Sequence, residues 1–244
     1  MIKSTRKIFL IYFSSYLLLS STSPDSESQS TNEKIPEETI LIRDFFNDVD
    51  LLKITTMKQE RKPCSAGGQA EMVIEGQIGP DARHAIFRLL ENLSSCRSSL
   101  HGHSRANPVV VSLRSPGGYM NEAYRIGKIF REFEVTTLVE SGHQCVSSCA
   151  IAFLGGKKRI LEDGGTLIFH APHYVDSTLG ATPTIDCEVG REERRALLKY
   201  FARTTDVEVA KHLFDRTMEH CSIEHGWRIS NGSEAVSNGI STDY

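Results

Sequence analysis

Long hydrophobic runs are missing from this 244-residue chain. No uninterrupted apolar stretch reaches the roughly 18 residues that a membrane-spanning helix needs, which excludes a multi-spanning membrane protein. An excess of one charge is missing too: 28 Lys and Arg stand against 31 Asp and Glu, a net charge of −3. Nothing in that balance attracts a polyanion, so nucleic acid is not an expected partner. Gly and Pro number only 18 and 8, too few for a collagen-like or low-complexity chain. Zinc-type cysteine spacing is also absent. Cys145 and Cys149 lie four positions apart and no second tight pair completes a ligand set, so the cysteines do not read as a zinc site.

What is present begins with an export signature. Lys3, Arg6 and Lys7 precede an apolar stretch over residues 8–19, too short to span a bilayer but suited to a secretory signal. Residues 1–23 therefore read as a signal peptide or an uncleaved N-terminal anchor, with membrane contact expected only in the second case. Six cysteines, all beyond this segment, fit an oxidising destination, periplasmic or secreted, in which they pair as disulfides. Residues 20–34 hold six Ser and no large apolar side chain, too little to offset the entropy of ordering. The expectation is a disordered spacer and N-terminal extension over 24–68. Within it, the apolar spacing of 40–52 predicts an amphipathic helix, and 58–68 a loop.

A compact domain is expected over 69–244. A strand near 71–78 ends at Gly79-Pro80, and a helix follows with Ala85, Ile86, Leu89, Leu90 and Leu93 inward. A buried strand at 109–113 precedes a helix over 120–133, carrying Ala123, Ile126, Ile129 and Phe130 inward. Strands at 135–140 and 166–169 flank a short apolar helix over 147–154. Two longer helices, 188–203 and 207–220, are separated by Thr204-Thr205-Asp206, a run of capping residues. Alternating strands and helices predict an α/β domain with mainly parallel strands and flanking helices.

Three segments carry residue types suited to chemistry. Arg114-Ser115-Pro116-Gly117-Gly118 closes a strand with two glycines, which allow a backbone N–H to approach a ligand unshielded by a side chain. Cys145-Val146-Ser147-Ser148-Cys149 runs from a strand into an apolar helix. A serine there serves as nucleophile or as N-cap, and Ser147 and Ser148 each fit either part. Phe169-His170-Ala171-Pro172 ends an apolar strand with an imidazole suited to proton transfer near neutrality. His173 also admits a metal-ligand reading, but no acidic or thiol partner matches its spacing.

Taken in order, SPGG, then Ser148 about thirty residues later, then FHAP 22 later, these segments resemble the Clp protease proteolytic subunit and the ClpP/crotonase-like superfamily. Gly155-Gly156 with Lys157, Lys158 and Arg159, and residues 231–240 (NGSEAVSNGI), resemble further stretches of that family. The similarity covers residues 71 to about 240, and is closer still to exported bacterial relatives with a C-x-S-x-C segment followed by F-H. It implies a serine peptidase with Ser148 as nucleophile, His170 as base, and the N–H groups of Gly118 and Cys149 as oxyanion hole. It also implies self-association, since members often form trimers or hexameric rings, and a peptide or unfolded-protein substrate. One departure stands out: Trp227 falls where the family carries its acidic third member. Glu224, Asp176 and Asp186 are the candidate replacements.

The alternatives belong to other classes. A catalytically silent binding or assembly module would keep the fold without the reaction. Thiol chemistry at Cys145 or Cys149 would need a spacing unlike the C-x-x-C of thioredoxin-type enzymes. The helix pair over 188–220 predicts a disulfide directly, because a short connection favours antiparallel packing and brings Cys187 and Cys221 together at the open end. Cys64 with Cys96 is the next expected bridge, which leaves Cys145 with Cys149.

Overall fold

The computed structural model describes residues 35–44, 49–58, 70–94, 109–176 and 184–243. Its elements run β1 (Ile35–Asp44), β2 (Val49–Lys58), β3 (Ala70–Gly76), α1 (Ala82–Ser94), β4 (Val109–Arg114), α2 (Met120–Glu132), β5 (Thr136–Val139), β6 (Gln144–Val146) and α3 (Ser148–Phe153). They continue as β7 (Lys158–Leu161), β8 (Thr166–Phe169), β9 (Tyr174–Asp176), β10 (Thr184–Asp186), α4 (Arg191–Thr204), α5 (Val207–Met218), β11 (Trp227–Ile229) and α6 (Gly232–Ser237). A six-stranded sheet has the order β1-β2-β3-β4-β5-β7, and a three-stranded sheet the order β11-β8-β6. From β3 through β7 the large sheet is parallel, as is the β6–β8 pair. The architecture is α/β, with a mostly parallel central sheet and flanking helices.

The amphipathic helix expected over 40–52 is not there. β1 and β2 pair antiparallel, and β2 pairs antiparallel with β3. In β2, Leu52, Ile54 and Thr56 are buried while Lys53 between them is exposed, the period-two alternation of a strand. In β1, Leu41 is 47% exposed while Ile40 and Ile42 pack on the core. The central sheet therefore begins at Ile35, inside the segment read from sequence as spacer and extension. Cys64 and Cys96, and with them the bridge expected between them, lie outside the described residues.

The helices follow their apolar stripes. α1 buries Ala82, Ile86, Leu89, Leu90 and Leu93, and α2 buries Ala123, Ile126 and Phe130. Asp206 caps α5 by accepting from the Val209 N–H at 2.9 Å. α4 and α5 form the expected hairpin, and a disulfide joins Cys187 to Cys221, their Cα atoms 5.8 Å apart. A second disulfide joins Cys145 to Cys149. The core centres on Phe130, Phe153, Phe169 and Phe201, all fully buried.

Candidate active site

Three strand ends converge at one edge. The Ser115 N–H donates to the Gln144 carbonyl and the Val146 N–H to the Ser115 carbonyl, both at 2.9 Å, so the end of β4 lies beside β6. On the other side of β6, the Ser147 N–H donates to the Ile168 carbonyl at 2.8 Å, in register with the Val146–Ile168 pairing of β6 and β8. The glycine loop, the serine pair and His170 thus leave neighbouring strands at their carboxyl ends, the usual place for a site in an open α/β sheet.

The glycine loop has a fixed shape. The Ser115 hydroxyl accepts from the Gly117 N–H at 3.0 Å, closing a tight turn. The Ile78 N–H donates to the Gly117 carbonyl at 2.8 Å, and the Tyr119 N–H to the Ile78 carbonyl at 2.9 Å. This parallel bridge turns the Gly118 N–H away from Ile78, and no hydrogen bond within the described residues engages it. Gly117 and Gly118 have φ of 103° and 144°, values open to glycine. The loop also sits tightly on the serine pair. A Cβ on Gly117 would lie 2.7 Å from the Val146 carbonyl oxygen, 2.8 Å from the Ser147 Cβ and 3.3 Å from the Ser148 nitrogen.

The two serines differ sharply. Ser147 sits at φ 58° and ψ −122°, a conformation that costs an ordinary residue about 1–3 kcal/mol. It makes no side-chain cap and is partly exposed. Ser148 is 0% exposed, and its Oγ has no hydrogen-bond partner among the described residues. The Cys145–Cys149 bridge spans this reversal between two fully buried sulfur-bearing residues. α3 is held from behind: Thr137 Oγ1 donates to the Phe153 carbonyl at 2.8 Å, and the Tyr200 hydroxyl to the Ile151 carbonyl at 2.9 Å.

His170 is 3% exposed. Its Nδ1 lies 2.9 Å from the Ala171 carbonyl, and its Nε2 has no partner among the described residues. A ring whose Nδ1 proton is given to a carbonyl keeps the Nε2 lone pair for a substrate proton. Burial holds its pKa below the ordinary histidine value, assisted by the neighbouring His173 and opposed by hydrogen bonds to the backbone of Ala171 and Cys221. The His173 ring stacks on it with centroids 5.3 Å apart.

Where the resemblance implies an acid, the chain carries Trp227. Trp227 pairs with Phe169 across β11 and β8, and its ring meets His212 edge-on while the Arg216 guanidinium lies over it at 5.3 Å. The side chain therefore packs on α5. Gly226 lies against the His170 backbone, where a Cβ would be 3.3 Å from that of His170. Glu224 is exposed, and no ion pair or hydrogen bond links it to His170. Asp176 and Asp186 fall on the β9–β10 hairpin, and their side chains lie outside the described residues. Cys149 is in the first turn of α3, one residue beyond Ser148. Among the described residues, no group of three or more His, Cys, Asp or Glu is placed to hold a metal. Two contributors were not visible in the sequence: the Ser115 hydroxyl, hidden in an apparent turn, and the His220 carbonyl that holds the Ala171 N–H.

No family model and no curated protein matches the chain. Solved structures do. A variant of the 1510-N membrane-bound stomatin-specific protease superposes with a TM-score of 0.52 at 15% identity, over 70% of this chain and 75% of that one. ClpP1 from Listeria monocytogenes superposes with a TM-score of 0.50 at 15% identity, over 70% of this chain and 88% of that one. At this identity the likeness concerns the fold. Together with the parallel sheet and the strand-end arrangement, it shows that the chain has the fold of the ClpP-like superfamily.

Proposed function

We propose that the chain is an exported serine hydrolase acting on peptides or unfolded segments. The carrying observation is the partly exposed, backbone-strained Ser147, set between the glycine loop and the strand that ends in His170. In this reading the Ser147 Oγ attacks a carbonyl and His170 Nε2 takes its proton. The developing oxyanion is received by the N–H groups of Gly118 and Ser148. No metal or cofactor takes part in these steps. The nucleophile thus shifts by one residue from the assignment that family resemblance implies. That assignment, Ser148 with Gly118 and Cys149 as donors, draws support from the unpartnered Ser148 hydroxyl. It requires a side chain with no exposure to reach a substrate.

The two disulfides support an oxidising compartment, and self-association is proposed on resemblance alone. A silent binding module is the competing reading, favoured by the carbonyl found where a carboxylate would orient His170. Turnover of a quenched-fluorescent peptide library separates the two. Cleavage lost in Ser147→Ala and in His170→Ala is expected; peptide binding without cleavage supports the silent module instead.

A further inference from the structure

We infer that the Cys187–Cys221 disulfide is a positioning element of the catalytic base, tethering the segment that anchors Ala171, whose carbonyl orients His170. The inference rests on His170 being the base. Its observations are separate from those that single out the serine.

The residues after α5 return to the end of β8. The Ala171 N–H donates to the His220 carbonyl at 2.7 Å. The Ala171 carbonyl in turn lies 2.9 Å from His170 Nδ1 and accepts its proton. Ala171, and through its carbonyl the His170 ring, is thus held by His220. Cys221, in turn, is tied covalently to Cys187 ahead of α4, so the α4–α5 hairpin is closed at its open end. Trp227 completes the arrangement. Occupying the position expected of an acid, it packs on His212 and Arg216 of α5 and seats that helix over β8 and β11. A neutral carbonyl fixes the ring tautomer but stabilises the imidazolium less than a carboxylate does. Its orienting effect therefore depends on being held in place. Freed from the tether, residues 219–221 lose a constraint and the Ala171 carbonyl loses the anchor that aims it at the ring.

Groups that could mimic the effect are few. Among the described residues, His173, stacked from the loop after β8, is the titratable side chain whose charge reaches the ring. Gly226, just ahead of β11, approaches the His170 Cβ and brings no side chain.

Selective reduction is open to experiment, because Cys187 is exposed and Cys221 partly exposed, while Cys145 and Cys149 are fully buried. The intact protein is treated with a mild phosphine, and alkylation mapping identifies which bridge has opened. Fluorophosphonate labelling is then followed against pH. Opening Cys187–Cys221 is expected to slow labelling about tenfold or more, within the ~10⁴ that loss of an orienting group can cost. It should also move the acid limb of the profile to lower pH, and reoxidation should restore both. Cys187→Ser/Cys221→Ser should behave like the reduced protein. An unchanged rate and profile in reduced, folded protein overturns the inference. A measurement independent of any variant is the histidine ¹H–¹⁵N spectrum of the oxidised protein. His170 should carry its neutral proton on Nδ1, and a proton on Nε2 overturns the inference as well. Labelling that persists in His170→Ala would instead remove the base assignment itself, and the inference with it.

Discussion

Replacing Gly118 by alanine tests the oxyanion loop at its most constrained atom. The residue sits at φ 144°, and an added Cβ would lie 2.2 Å from the Ile78 carbonyl oxygen and 2.9 Å from its carbon. Both contacts are backbone, so no rotamer change relieves them. Ordinary van der Waals separation requires about 1 Å of movement between the loop and the end of β3. That movement strains the pair of hydrogen bonds, 2.8 and 2.9 Å, by which Ile78 holds Gly117 and Tyr119. It also displaces the Gly118 N–H. Misplacement by about 1 Å costs on the order of 10²-fold in rate, and full loss of one oxyanion donor about 10²–10³-fold. Gly118→Ala should therefore lower peptide turnover and fluorophosphonate labelling by about 10²-fold or more. Most of the fold should remain, since Ile78 lies beyond the end of β3 in an isolated bridge; circular dichroism and thermal unfolding check this. A folded variant that turns over peptide at the parent rate would refute the placement of the oxyanion at this loop.

Two other outcomes follow from the same geometry. Tyr200→Phe removes a buried donor to the Ile151 carbonyl of α3 and should cost about 1–3 kcal/mol, read as a fall of several degrees in the thermal midpoint. Because burial holds the His170 pKa below the ordinary histidine value of about 6.5, labelling should keep its plateau rate below that pH and fail only lower still. The same sign applies to stability. A histidine whose folded pKa is depressed contributes stability that is fully present above about pH 6.5 and is lost as the pH falls through the folded value, which thermal unfolding at stepped pH would detect.

The helices were legible because their apolar stripes are long. α1, α2, α4 and α5 span 12 to 14 residues, enough for a 3.6-residue period to show. The hairpin disulfide followed from those lengths and a short connection. β6, β7 and β11 have three or four residues each, too few to reveal any period. The apolar positions of 40–52 fit a helical spacing as well as two interrupted strands, and pairing with β3, a tertiary interaction, settled the matter. The glycine loop, the serine pair and His170 were legible as residue types. Which serine meets solvent was not, since it depends on the φ of Ser147. The orienting carbonyl was invisible for a different reason: every residue has one, so no side chain announces it.

The most direct measurement is to label the purified, oxidised protein with a fluorophosphonate and locate the adduct by peptide mass mapping. Residues 145–149 are read alongside Ser147→Ala, Ser148→Ala and His170→Ala. A single adduct on Ser147, retained in Ser148→Ala and lost in His170→Ala, is the predicted result. An adduct on Ser148, or one indifferent to His170, would contradict the assignment, and an unlabelled protein would mean that the site is catalytically silent.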